Sequence, residues 1–187
     1  SRFGRVHIVC NNAGIALTGS ITQATPQEWE TSFAINFWGV VHGTEVFVPH
    51  LLAQRDGHVV NTASMAGLVG MLGLGVYCAT KFAVVGYTES LHRELEPQGV
   101  GVSVLCPMIV RTGIGANSRR MLGAPPEAGA LGVPAPGFGS VIAPEDVARR
   151  VVRAIERRDL YILTHLEQRE ILERRTARQL AAFEGWD

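Results

Sequence analysis

Tyr77 and Lys81 stand four residues apart in Val76-Tyr77-Cys78-Ala79-Thr80-Lys81. On a helix that spacing stacks a phenol and an ammonium on one face. The ammonium favours the ionised phenolate, and a tyrosine with a depressed pKa exchanges a proton with an alcohol or a ketone near neutral pH. Solvated helices carry such pairs by chance, so the meaning of this one depends on its surroundings. Ser64 ends the run Gly57-His58-Val59-Val60-Asn61-Thr62-Ala63-Ser64, which reads as a buried strand closing in small polar residues. A hydroxyl at the carboxyl end of a parallel strand is placed to hydrogen-bond a substrate oxygen, although an isolated serine there is equally a turn or a cap.

Three elements must position these groups. Val6-His7-Ile8-Val9-Cys10 reads as a buried strand entering the small-residue turn Asn11-Asn12-Ala13-Gly14, where the backbone can approach a flat ring closely. Thr25-Pro26-Gln27-Glu28 starts a long helix with a cap, a first-turn proline and a capping-box glutamate. Its apolar stripe runs through Trp29, Phe33, Phe37, Val40, Val41, Val48 and Leu51. Asn36 interrupts that stripe, and a buried amide must find partners or cost on the order of 1–3 kcal/mol. It is either a bridge between elements or part of a polar chain to the site. The stretch Met65 to Gly75 mixes Gly67, Gly70, Gly73 and Gly75 with Leu68, Val69, Met71, Leu72 and Leu74, an apolar open loop suited to lining a substrate pocket or to a buried crossover.

In these residues the chain resembles the short-chain dehydrogenases/reductases, in their shorter form rather than the extended sugar-nucleotide form. Asn11-Asn12-Ala13-Gly14 is similar to the family's adenine-side cofactor motif, Asn36 to its helix asparagine, and Ser64, Tyr77 and Lys81 to its catalytic trio. Cys106-Pro107-Met108-Ile109-Val110-Arg111-Thr112 resembles the family's nicotinamide-side segment, with Met108 where a glycine is usual. The likeness runs from Val6 to about Leu163. It implies an NAD- or NADP-dependent oxidoreductase that interconverts a secondary alcohol and a ketone by hydride transfer. Tyr77 would be the acid/base, Ser64 the donor to the carbonyl oxygen, and Lys81 the group that lowers the phenol pKa and binds the nicotinamide ribose. Asn36 would hold a water linking Lys81 to solvent. Asn11, Asn12, Ala13, Gly14, Pro107, Val110 and Thr112, together with Tyr77 and Lys81, would contact the cofactor. Lys81 argues against the dehalogenase relatives, which resemble the pattern with arginine there.

The resemblance also implies an α/β fold, the C-terminal part of a doubly wound, Rossmann-like parallel sheet. A dinucleotide fold of this type opens with a strand, a Gly-rich turn and a helix N-terminus for the pyrophosphate. The opening Arg2-Phe3-Gly4-Arg5-Val6 is similar to the approach to the family's fourth strand instead. The expectation is therefore a single domain over residues 1–187 that lacks the first three strands and the Gly-rich segment. The strand Val6 to Cys10 is then an exposed edge, and cofactor affinity is reduced. An alternative expectation is a catalytically weak or inactive fragment acting through association.

The chain has 187 residues, 47% of them apolar, with zero formal net charge. That is enough for one domain with a sizeable core, and it argues against nucleic-acid or membrane-surface partners. Cys10, Cys78 and Cys106 are widely spaced in apolar elements and read as buried reduced thiols of a cytoplasmic protein, with no metal site. No run is long enough to span a bilayer. Residues 113–143, rich in Gly and Pro, read as a long functional loop, which the family likeness makes a substrate lid. Residues 164–187 read as a helical extension. The expected partners are a small, apolar alcohol or ketone and further copies of the chain, as a homodimer or homotetramer through the helices Trp29 to Leu51 and Tyr77 to Glu96.

Overall fold

The computed structural model describes residues 4–121 and 139–185. Four strands form one sheet: β1 (Ile8–Asn11), β2 (His58–Thr62), β3 (Gly101–Cys106) and β6 (Tyr161–Leu163). They lie in the order β1-β2-β3-β6, and every pairing is parallel. The connections carry helices: α1 (Pro26–Phe33), α2 (Gly39–Gln54), α3 (Gly75–Leu95), α4 (Ile114–Met121), α5 (Pro144–Arg157) and α6 (Arg169–Ala181). Two short strands, β4 (Ile109–Val110) and β5 (Val141–Ile142), pair separately. The architecture is the expected α/β, Rossmann-like arrangement.

Parallel strands covered on both faces need continuous apolar sequence, and every residue of β3 is buried. Alternation then sorts the side chains between two layers. Val9, Val59 and Val102 face Val48, Leu51, Leu91 and Leu95 of α2 and α3. Further along, Val104 and Cys106 pack with Val40, Val84 and Val85. On the opposite face Val60, Leu105 and Ile162 meet Ala154 of α5, with Val147, Val151 and Ile155 beside it. This second layer does not bury β1: Val9 is buried, whereas Ile8 and Cys10 are exposed. The buried thiol expected at Cys10 is therefore exposed, because β1 is the edge strand and Cys10 points away from α2. The strand itself begins two residues later than expected, at Ile8.

The capping box at Thr25 forms as read. Glu28 N donates to Thr25 Oγ1 (3.3 Å), and Thr25 N donates to Glu28 Oε2 (2.7 Å). The long helix is not uniform, however. Between α1 and α2 the chain makes one wide turn of π-helix, Ala34–Trp38, and Asn36 sits in it. Such turns arise where an inserted residue is held by side-chain demand, and they concentrate at functional sites. The segment 113–143 is also more regular at its ends than a loop: it begins in α4 and closes in β5, while residues 122–138 of that expected lid lie outside the described residues. The extension carries α6, none of whose residues is buried. Arg175 of α6 reaches α3, with its guanidinium carbon 5.3 Å from the Phe82 ring centroid.

Candidate active site

The carboxyl ends of β1, β2 and β3 bring the predicted groups together. Ser64 follows β2, has an extended backbone, and caps a short turn, Met65–Gly67, by accepting from Ala66 N (3.1 Å). Its Oγ donates to Pro107 O (3.3 Å) and acts on the nearby Tyr77 phenol, favouring its ionised form. Tyr77 lies in the first turn of α3, one helical turn before Lys81. Gly67 sets how near α3 lies to this turn, since a Cβ there would stand 2.5 Å from Lys81 O. The glycine is thus a packing requirement, while the exposed Leu72 marks where the same loop leaves the core.

Lys81 is buried, with 2% of its surface exposed. Its Nζ donates to Thr62 O (2.8 Å) and lies 5.7 Å from the centroid of the Tyr77 ring. Among the described residues no carboxylate forms an ion pair with it. Burial lowers its pKa to about 8. Burial also pushes Tyr77 up to about 12, against the opposing pull of the Ser64 hydrogen bond. The expected depression of the phenol by Lys81 is therefore absent in the free chain. The reason is physical: desolvation penalises the phenolate more than its neighbours favour it, and the ammonium lies over the ring. Cys106, also pushed to about 12 by burial, stands in this environment as a neutral thiol.

Asn36, fully buried, is the bridge that was one of its two readings. Its Oδ1 accepts from Ile15 N (2.8 Å), and its Nδ2 donates to Ile15 O (2.9 Å) and Thr80 Oγ1 (3.0 Å). The wide turn thus ties the segment after β1 to α3. Gly14 lies against this bridge; a Cβ there would be 3.2 Å from Asn36 Oδ1 and 3.5 Å from Lys81 Nζ. Asn11 turns into the sheet, where its Nδ2 donates to Asn61 Oδ1 (2.8 Å). Asn12 accepts from Thr62 Oγ1 (3.0 Å), and Ala13 is exposed. The side chain of Asn11 is thereby committed to holding β1 on β2.

Pro107 follows β3, and its carbonyl also accepts from Met65 N (2.9 Å). Met108 is free of left-handed backbone strain, as the only non-glycine residues with positive φ among the described residues are Arg55 and Arg158. Val110 lies in β4, and Thr112 is exposed, its Oγ1 accepting from Ile114 N (3.4 Å). Three contributors went unread in the sequence. Thr80 completes the Asn36 bridge and donates to Tyr77 O (2.8 Å). Ser118 of α4, also buried, accepts from Ala16 N (2.8 Å). The third is the Thr62 carbonyl, which takes the ammonium. Thr80 lay inside the Tyr77–Lys81 motif and was legible as its partner; a backbone carbonyl and a serine 102 residues from its partner had no signal. Among the described residues no cluster of His, Cys, Asp or Glu could hold a metal, and no helix is long and apolar enough to cross a membrane.

With fold and geometry in hand, the chain belongs to the short chain dehydrogenase family, whose model matches residues 1–123. The SadH protein of Mycobacterium tuberculosis is 42% identical over 120 residues, 63% of this chain and 44% of that protein. Ketoacyl reductase HetN of Nostoc is 30% identical over 179 residues, 95% of this chain and 57% of its own length. A short chain dehydrogenase/reductase from Burkholderia phymatum, solved in complex with NAD, superposes with a TM-score of 0.81 at 36% identity, covering 95% of this chain and 68% of that one. The chain spans about half the length of the curated relatives it matches.

Proposed function

We propose that this protein is an NAD(P)-dependent oxidoreductase that interconverts an apolar secondary alcohol and its ketone. One observation carries the reading: Tyr77 stands near enough to Ser64 for the serine hydroxyl to oppose the rise in the phenol's pKa, beside the buried ammonium of Lys81, whose Nζ is 5.7 Å from the ring centroid. A phenol, a second hydroxyl donor and a cation at the carboxyl ends of parallel strands are what proton exchange at a carbonyl oxygen requires.

The residues fit a nicotinamide nucleotide at its ribose end. Lys81 has three N–H donors and meets one carbonyl, Thr62 O, which leaves donors for the ribose hydroxyls. Gly14 lies beside Lys81 Nζ, and the family likeness adds Pro107, Val110 and Thr112 as cofactor contacts, with Asn12 and Ala13 beyond Gly14. The backbone of Asn11 belongs to the same turn. When bound, the nicotinamide gives or takes the hydride; the complex of the Burkholderia relative with NAD supports that choice without separating NAD from NADP.

The chain's own groups do the rest. Ser64 turns its proton from Pro107 O to the substrate oxygen, where charge develops. Tyr77, protonated in the free chain, donates its proton to that oxygen in reduction and removes one in oxidation. Lys81 stabilises the phenolate left behind and hands it a proton, and a water beside Asn36, in the role the family likeness gives that residue, returns one to Lys81. A cavity of 790 Å³ opens beside the first turn of α3, lined by Ser20, Ile21, Met71, Leu72 and Cys78 among others. Ser64, Tyr77 and Lys81 do not line it; the support for an apolar substrate is the run of Leu68, Val69, Met71, Leu72 and Leu74 between Ser64 and Tyr77.

Replacing Tyr77 with phenylalanine tests the reading. Turnover is expected to fall by about 10²–10⁴-fold with the circular dichroism spectrum unchanged, the range for losing a general acid; retention of most activity would refute it. A second reading is association without catalysis, favoured by the exposed Trp38 at the end of the wide turn and the exposed Val46 and Phe47 of α2. Light scattering together with a dehydrogenase assay separates the two, since only the second reading permits an oligomer with no activity.

A further inference from the structure

The turn after β6 grips both β4 and the approach to β5 through one imidazole. His165 is buried, and its Nε2 lies 3.2 Å from Ile109 O and 3.0 Å from Ser140 O. Carbonyl oxygens only accept, so Nε2 must carry the proton. The neutral ring then presents a lone pair at Nδ1, where both neighbours are donors: Met108 N–H at 3.3 Å and the Thr164 hydroxyl at 2.7 Å. Glu167, from the same turn, accepts from Ser140 N (2.8 Å) and Ser140 Oγ (2.7 Å).

The N–H of Met108 and the C=O of Pro107 belong to one peptide unit, which is planar and rigid. His165 holds the N–H edge of that plane. The opposite edge, Pro107 O, receives Ser64 Oγ (3.3 Å) and Met65 N (2.9 Å). A rotation of the plane that freed Met108 N–H would therefore carry away the acceptor that orients Ser64.

We infer that His165, in its Nε2–H tautomer, is a positioning residue that fixes the Pro107–Met108 peptide plane and through it sets where Ser64 Oγ stands before its proton turns to the substrate. The inference rests on the oxidoreductase reading of Ser64 and Tyr77. Nothing in the catalytic motif signals it, as His165 lies 57 residues from Met108.

Two isosteric substitutions separate the arms of the ring. His165→Asn keeps an acceptor near the place of Nδ1; His165→Gln keeps a donor near the place of Nε2 and loses that acceptor. In His165→Gln, kcat for ketone reduction is expected to fall about tenfold or more, equivalent to about 1.4 kcal/mol of barrier. His165→Asn is expected to restore most of the rate. Amide exchange at Met65, whose N–H is held by Pro107 O, should quicken in His165→Gln and stay near wild type in His165→Asn. Ring-nitrogen chemical shifts of the wild type should report the Nε2–H form. A Nδ1–H tautomer, or His165→Gln and His165→Asn indistinguishable in kcat and in exchange, overturns the inference while leaving the oxidoreductase reading standing. A wild-type chain inactive on every ketone overturns that reading and this one with it.

Discussion

Lys81 is charged at neutral pH against the preference of its surroundings. Burial lowers its folded pKa to about 8 from 10.5, so between those values the unfolded chain binds more protons, and stability rises with pH through that window. At neutral pH the buried ammonium therefore costs stability. Lys81→Met is expected to raise the unfolding free energy by on the order of 1–3 kcal/mol in urea titrations while abolishing turnover, the signature of a residue kept for chemistry. A loss of stability in that variant would assign Lys81 to the fold instead. Tyr77, pushed up to about 12, remains protonated throughout the neutral range in the free chain. Reduction, which uses the phenol as acid, is expected to proceed at neutral pH. Oxidation, which uses it as base, should show kcat/KM rising toward alkaline pH in paired profiles.

At the scale of elements, the wide turn Ala34–Trp38 is where the helix gives up regularity to satisfy Asn36. Truncating Asn36 to alanine would orphan the N–H and C=O of Ile15 and one donor contact to Thr80. The expected loss is on the order of 2–4 kcal/mol, visible as a lowered urea midpoint. The capped start of α1, the valine-rich β2 and β3, and the Tyr77–Lys81 helix were legible because each depends on neighbours within a few positions. The π turn was not, because its cause lies in Ile15 and Thr80, 21 and 44 residues away. For the same reason the four catalytic candidates could be read from their types and intervals, whereas the carbonyls of Thr62 and Pro107 that hold Lys81 and Ser64 could not. Cys10 was misread because an apolar run does not reveal which face of an edge strand is left uncovered; Val9 is buried against α2 and α3, and Cys10 faces the other way.

The whole molecule is electrically neutral, so its pH response rests on individual buried groups rather than on global repulsion. His58, the first residue of β2, buried with its ring over β3 against Ser103, is held down at about 4 by burial first, and then by Arg158 and His92. The unfolded chain, with its histidine near 6.5, binds the extra proton between those values. Stability should be complete above that window and fall as the pH drops through it, by at most about 3 kcal/mol. Thermal melts across the window check this, and His58→Gln should flatten the slope. The parallel sheet, covered by helices on both faces, gathers the ends of β1, β2 and β3 around Tyr77, and the account stands or falls on hydride transfer at that point. The direct measurement is the fate of deuterium when the wild type reduces an apolar ketone with NADH or NADPH deuterated at the transferable ring position. The account predicts one deuterium on the carbinol carbon of the product, at a rate that collapses in Tyr77→Phe. An alcohol without the label, or a labelled alcohol formed as fast without the phenol, would contradict it.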